Sequence, residues 1–320
     1  MILTDYFEST PNRQWQLAKQ VGINHATVRL PEDPYFDETN YYHWKVVYDR
    51  FMDYGIKPTV IEPVPNVIHD HIKAGDENRD ECVERFLKML PIMDALDIRT
   101  VCMNFMALIG WYRTTSSYME RGGAQVTAFD IDKFSAKPEL SISEEKLWDN
   151  LDYFLKAAVP EAEKYGIRLG LHPDDPPVPR LGDVSRILIT RESLLKAINL
   201  VPSPNLGLVL CQGCYCAMGE DVYDVIRSFL ELDKVFFVHF RDVAGCGGHF
   251  RETFHDNGPT DMGKALRIYQ EYGYDGPIRV DHVPTMAGEQ NEKPGYEMIG
   301  RLFAIGYLKG LLDGMDYHYI

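Results

Sequence analysis

From residue 2 to residue 282 one arrangement of hydrophobic and polar positions recurs about eight times: an apolar run rich in β-branched residues, a turn-forming stretch, then a segment of helical period. The runs are ILTDYF (2–7), ATVRLP (26–31), KPTVIEP (57–63), TVCMNFM (100–106), RLGLHP (168–173), LGLVLCQ (206–212), KVFFVHFR (234–241) and PIRVDH (277–282). Most are almost continuously apolar, the pattern of strands covered on both faces in a parallel sheet. The segments between them read as helices. After SISE, where Ser141 and Glu144 fit a capping box, Leu147, Leu151, Leu155, Ala158 and Ala162 keep an i, i+4, i+8 stripe, and Pro160 is expected to kink the helix.

This alternation over 320 residues predicts an α/β fold, a (β/α)8 TIM barrel, with residues 1–320 forming a single domain. A doubly wound open sheet is the runner-up. It lacks support because no glycine-rich phosphate loop follows the first run, and because polar residues end most strands instead of clustering at one switch point. Residues 108–140 are the longest irregular stretch, and a connection of that length is expected to act as a lid or binding loop.

Composition narrows the function. A formal charge of −15 with no basic run argues against a nucleic-acid partner. The opening MILTDYFEST carries acids where a signal peptide carries Lys or Arg, and no apolar run approaches the roughly 18 residues of a membrane span. A cytoplasmic protein with no membrane partner is expected. Cys82 and Cys102 stand alone in periodic apolar segments and read as core thiols.

Active sites of this fold gather at the C-terminal ends of the strands. Those ends carry Arg29, Glu62, Asn104, His172, Cys211, His239 with Arg241, and Asp281 with His282. Nitrogen, sulfur and oxygen donors at four successive strand ends, His172, Cys211, His239 and Asp281, are predicted to converge on one divalent ion. VLCQGCYC (209–216) crowds three cysteines into one stretch. A structural zinc site lacks a second cysteine pair, Cys246 being alone, whereas the order strand, CxxC, helix is also that of thioredoxin-like redox pairs. The metal reading uses only Cys211 and leaves Cys214 and Cys216 to loop packing. Asp174 and Asp175 in HPDDPP read as turn chemistry, and HDH (69–71) as exposed polar loop. His282, next to a metal ligand, is suited to proton transfer near neutral pH.

Several segments together resemble the mannonate dehydratase family of xylose-isomerase-like barrels. They are TVCMNFM with WYRT, VPEAEKYGIRLGLHPDDPP, CQG, VHFRDV, FRETFHDNGPTDM, GPIRVDHVPTMAGE and PGYEMIGRLFAIGYLKGLL, from about residue 98 to 312. The resemblance implies metal ligation by His172, Cys211, His239 and Asp281, acid/base roles for His282 and Tyr296, and substrate contacts from Asn104, Arg113, Arg241 and His255. It implies a lyase that dehydrates D-mannonate, or a closely related aldonate, to 2-keto-3-deoxy-D-gluconate in hexuronate (glucuronate) catabolism. Softness of the donor set suits Zn2+ or iron, while the resemblance implies Mn2+ or Fe2+ ahead of Zn2+. The expected partner is a small-molecule sugar acid, and a homo-oligomer is compatible with the pattern. A metal-dependent sugar or sugar-acid isomerase or epimerase on the same barrel, and a non-catalytic sugar-acid-binding protein, are the alternatives.

Overall fold

The computed structural model describes residues 1–320. Its strands, numbered along the chain, are β1 (Ile2–Glu8), β2 (His25–Arg29), β3 (Lys57–Ile61), β4 (Thr100–Met103), β5 (Thr115–Met119), β6 (Gln125–Asp130) and β7 (Arg168–Leu171). They continue with β8 (Arg180–Leu181), β9 (Val184–Ser185), β10 (Leu206–Cys211), β11 (Val235–Phe240), β12 (Val243–Cys246), β13 (His249–Glu252) and β14 (Pro277–Val280). Eight of them close a parallel barrel in the order β1-β14-β11-β10-β7-β4-β3-β2. Each barrel strand corresponds to one predicted run. All but β1 end one to three residues sooner than the apolar pattern, because the polar residues that finish each run leave the ladder at the mouth.

The strand pleat builds the barrel interior in layers. The Oγ1 atoms of Thr4 on β1 and Thr27 on β2 lie 3.0 Å apart, and Val60, Cys102, Val209 and Phe237 form one buried cluster on β3, β4, β10 and β11. Two residues beyond each inward position lies the next one towards the mouth: Tyr6, Arg29, Glu62, Asn104, His172, Cys211, His239 and Asp281. One polar or titratable side chain thus comes from every barrel strand. The residues between them, such as Leu3, Phe7 and Val28, face outward and pack in the main core with helix residues such as Trp15 and Phe51.

The long stretch at 108–140 is not wholly irregular. It supplies β5 and β6, which join β12 and β13 in an antiparallel sheet of order β12-β13-β6-β5 beside the mouth. The helix Glu144–Tyr165 buries its predicted stripe and runs unbroken through Pro160 to Gly166, whose φ of 63° suits a left-handed C-cap. Its cap is Ser143, whose side chain accepts from Lys146 N, not Ser141. The capping box lies elsewhere, between Thr190 and Ser193.

HDH is also not a loop. Residues 69–71 belong to the helix Asn66–Ala74, which presents His69 to the core and leaves Asp70 outside to pair with Lys73 at 2.8 Å. His69 is 0% exposed, sits edgewise to Phe105 and near Phe154, and finds no hydrogen-bond partner for either ring nitrogen. Burial, with Lys73 nearby, holds its pKa well below the ordinary histidine value. The unfolded chain therefore binds this proton more readily, so the stability His69 preserves above its unfolded pKa is lost as pH falls below that value. Between pH 7 and pH 5 this loss amounts to at most about 2 kcal/mol. His69→Leu is expected to be less acid-labile than the parent over that interval, as measured by urea unfolding at both pH values. An unchanged pH dependence refutes this role for His69.

Candidate active site

Six of the eight inward mouth residues, Tyr6, Glu62, Asn104, His172, His239 and Asp281, line a cavity of about 190 Å³ together with Trp111, Arg279, His282 and Tyr296 among others. A larger groove of about 630 Å³ crosses the outer sheet at β5, β6 and β13, and the ligand-type side chains Asp130 and His249 that line it, with Asp132 next to them, are largely exposed. The barrel mouth has the chemistry.

One donor from each of His172, Cys211 and His239 lies within 4.8 Å of the others. His172 Nε2 is 3.1 Å from His239 Nδ1, and His172 Nδ1 is fixed by the carbonyl of Pro173 at 2.6 Å. Asp281 stands beside this trio without completing it. Its Oδ1 accepts from Arg279 Nη1 at 2.6 Å, while Oδ2 lies 3.7 Å from His239 Nδ1. Burial raises the cost of a charge on Cys211, but hydrogen bonds from Cys214 and the charge of Arg241 hold its thiol well below the ordinary cysteine value. Burial likewise disfavours a charged His172, yet the adjacent Cys211 thiolate keeps its pKa at about 8.

The donor set fits a divalent cation on two further grounds. His239 Nε2 is buried and makes no hydrogen bond, although Glu62 Oε1 is 3.2 Å away. Four buried carboxylates (Glu62, Asp175, Glu252 and Asp281) and the Cys211 thiolate face three guanidiniums (Arg113, Arg241 and Arg279). With His172 bare, the state in which an imidazole binds a metal, two negative charges are left over in a low-dielectric interior, where uncompensated charge is costly.

Arg241 and Arg113 depart from the expectation that they face substrate. Arg241 is 1% exposed, and its five donors are engaged by protein: Nε by Cys211 Sγ at 3.1 Å, Nη1 by Glu252 and His282, and Nη2 by Asp175 at 2.7 Å and Cys214 Sγ at 3.2 Å. Arg113 grips Asp175 through both terminal nitrogens, at 2.6 and 2.9 Å, and Glu252 at 2.7 Å. Both guanidiniums lie behind the cavity wall because carboxylates there outcompete any ligand for them. His255 is displaced for a related reason: Nε2 bonds the Phe240 carbonyl at 2.8 Å, and burial lowers its pKa to about 4. Asn104 does line the cavity, with Oδ1 accepting from Met106 N at 3.1 Å.

These contacts change the meaning of CQGC and HPDDPP. Cys211 ends β10 and a helix, Gln212–Met218, begins at the next residue. A Cβ at Gly213 would lie 2.8 Å from Arg241 Nε, so the glycine makes room for the guanidinium. Cys214 touches Arg241 and Cys211 and is no bystander, whereas Cys216 turns away to Asp242 at 3.1 Å. Asp174 and Asp175 are buried rather than turn-forming at the surface. Asp174 Oδ2 accepts from Ile187 N and Leu188 N, while Arg113 and Arg241 outweigh the burial of Asp175 and hold its carboxyl well below the usual range.

His282 follows Asp281 with φ at 32°, a left-handed conformation that a side-chain-bearing residue adopts only under local constraint. The turn lets two adjacent residues serve the mouth. His282 Nδ1 meets Arg241 Nη1 and, at 3.1 Å, Glu252 Oε1; Nε2 is 3.1 Å from the Tyr296 hydroxyl. Gly295, with φ at 83°, forms a β-bridge to Val283 that sets Tyr296 against His282. Burial, reinforced by Asp281, raises Tyr296 well above the ordinary tyrosine pKa. Residues 108–140 contribute Trp111, whose ring lies 5.1 Å from that of His282. Glu252, Arg279 and Trp111 join the site without having been among its candidates. The alternation that buries Phe250 and Glu252 together on β13 is the signal that could have exposed the first of them.

The sequence profile of the D-mannonate dehydratase (UxuA) family matches residues 12–141 and 137–320, so the likeness extends well ahead of residue 98. The chain belongs to this family. It is 34% identical over 291 residues to the mannonate dehydratase of Streptococcus agalactiae serotype III (strain NEM316), covering 82% of each chain. The mannonate dehydratase of Streptococcus uberis (strain ATCC BAA-854 / 0140J) is 33% identical over 291 residues, again 82% of each. The crystal structure of mannonate dehydratase from Streptococcus suis serotype 2 superposes with a TM-score of 0.89 at 28% identity, over 98% of this chain and 94% of that one. D-psicose 3-epimerase from Clostridium cellulolyticum H10 has a TM-score of 0.63 at 13% identity over 99% of each chain, a likeness of fold alone.

Cys211→Ala is expected to lower the divalent metal that copurifies with the protein, whereas Cys216→Ala should leave it unchanged. Elemental analysis of the folded variants checks this. Equal metal content in parent and Cys211→Ala protein contradicts the thiolate's place in the site.

Proposed function

We propose that the protein dehydrates D-mannonate, or a closely related aldonate, to 2-keto-3-deoxy-D-gluconate in hexuronate catabolism. The observation that carries this reading is the His282–Tyr296 pair, which faces the same cavity as His172 and His239, with the Cys211 donor buried beside those two imidazoles. A barrel whose purpose is only to bind a sugar acid has no need of a strained, doubly supported imidazole against a buried phenol. Family membership favours loss of water over isomerisation or epimerisation.

The chemistry requires removal of a weakly acidic proton at C2, α to a carboxylate, and departure of the C3 hydroxyl. We assign a divalent ion, Mn2+ or Fe2+ ahead of Zn2+, to His172, Cys211 and His239 with Asp281 as fourth ligand. When bound it would supply Lewis acidity towards substrate oxygens, the departing C3 hydroxyl among them. Tyr296 holds its proton at neutral pH and is the donor of the pair, assisting the departing hydroxyl. His282 Nε2 then accepts the C2 proton. For Nε2 to accept, the ring proton sits on Nδ1, where it is donated to Glu252 Oε1 both before and after the transfer. A proton can enter or leave Nε2 without stranding the buried nitrogen on the other side. Trp111 and Tyr6 narrow the mouth above this pair, and Asn104 keeps its amide N–H groups for substrate hydroxyls. No helix is long and apolar enough to cross a membrane, and a cytoplasmic location is part of the proposal.

His282→Ala is expected to cut turnover of D-mannonate by about 10²- to 10⁴-fold, the usual contribution of a general base, with bound metal retained. Mass spectrometry of the product decides the reaction class: an α-keto acid lighter by one water supports dehydration, whereas a product of unchanged mass supports isomerisation or epimerisation. Full activity in His282→Ala removes the residue from the mechanism.

A further inference from the structure

An aldonate brings a carboxylate into a cavity whose surrounding cations are already committed. Arg241 has no donor left, and Arg113 spends both terminal nitrogens on Asp175, Glu252 and the Tyr112 carbonyl. Arg279 is held by Glu62 at 3.0 Å through each of two nitrogens and by Asp281 at 2.6 Å. Arg301 supports the carbonyls of Tyr6 and Tyr296 from the last helix. All four are buried, and withdrawing any of them leaves a carboxylate or carbonyl unpaired in the interior.

Arg29 is placed differently. It ends β2 two residues beyond Thr27, on the inward parity, outside the cavity's walling residues but beside the hydroxyl of Tyr6, which is one of them. Around the closed barrel β2 stands diametrically across from β10, the strand that carries Cys211. The only ion-pair partner of Arg29 is Glu32, three residues on, at 2.7 Å, with the two side chains 41% and 38% exposed. Pairs of that kind contribute little and exchange readily for a better ligand. A planar guanidinium with donors to spare matches a carboxylate in bidentate geometry. Lys293 is a second cation near the mouth, but it is 61% exposed and bonded to Glu8 at 2.6 Å.

We propose that Arg29 binds the substrate carboxylate at the barrel mouth, across the cavity from the His172, Cys211 and His239 donors, and so selects aldonates over neutral polyols. This rests on the aldonate dehydratase reading above. The substrate chain is then held between Arg29 at its carboxylate end and the ligand-bearing strands on the far side, with C2 and C3 beneath His282 and Tyr296.

The test compares parent, Arg29→Gln, Arg29→Lys and Lys293→Gln, each loaded with Mn2+, in D-mannonate turnover and in calorimetric binding of D-mannonate and of uncharged D-mannonamide. Arg29→Gln is expected to raise KM and the mannonate dissociation constant by about 10- to 100-fold, the scale of a lost charge-assisted pair, without changing mannonamide binding or metal content. Arg29→Lys should recover part of the loss, and Lys293→Gln should stay near the parent. A mannonate affinity in Arg29→Gln within about twofold of the parent, or a larger loss in Lys293→Gln, overturns the proposal. If the parent binds mannonate through Arg29 but releases no water from it, the dehydratase reading fails and the carboxylate site stands. If the parent does not bind mannonate, both fail.

Discussion

The site depends on one buried guanidinium. Arg241 lies at the end of β11 and is joined by its five donors to Cys211 and Cys214 beside β10, Asp175 beyond β7, Glu252 on β13 and His282 beyond β14. Through these contacts it sets the thiolate of the proposed metal site, one nitrogen of the proposed base and the seam between barrel and accessory sheet. Buried ion pairs are poor sources of net stability, but removing one partner typically costs about 3–5 kcal/mol because the survivor stays charged in the interior. Such a network holds its geometry firmly, and the contacts made by Gly213 and Cys214 show the chain accommodating it.

The accessory sheet follows from the same constraint. The Arg241 network needs partners and walls that the strand ends alone do not provide. β13 delivers Glu252 into the network, and the segment before β5 delivers Arg113 and Trp111. Pairing of β13 with β6 ties these two insertions together, so the stretch expected to act as a lid or binding loop forms a wall on its inner side.

The barrel was legible because its strands are buried on both faces, and runs such as KVFFVHFR declare themselves without any partner being known. The strand-end residues His172, Cys211, His239 and Asp281 were legible for a simple reason: the pleat carries the inward face of each run to the mouth. Tyr296 was not readable from pattern and came only with the family resemblance, since the bridge from Gly295 to Val283 is a tertiary contact. The surroundings of Arg113 and Arg241 are not legible, because a sequence shows that an arginine is present but not which carboxylate it meets. Asp175 and Arg241 are 66 residues apart, and nothing local announces that pairing. His69 hid for the opposite reason, a polar side chain inside a helix face whose neighbours Asp70 and His71 look like solvent-exposed residues.

On the function proposed above, the buried charges at the mouth are arranged for a divalent cation and balanced by it. Titration of Mn2+ into chelator-treated protein, followed by calorimetry and by thermal unfolding of the same samples, tests it directly. The account predicts saturation at a single ion per chain and a rise in Tm that Cys211→Ala abolishes. Binding with no change in Tm, or a Tm shift that survives in Cys211→Ala, contradicts it.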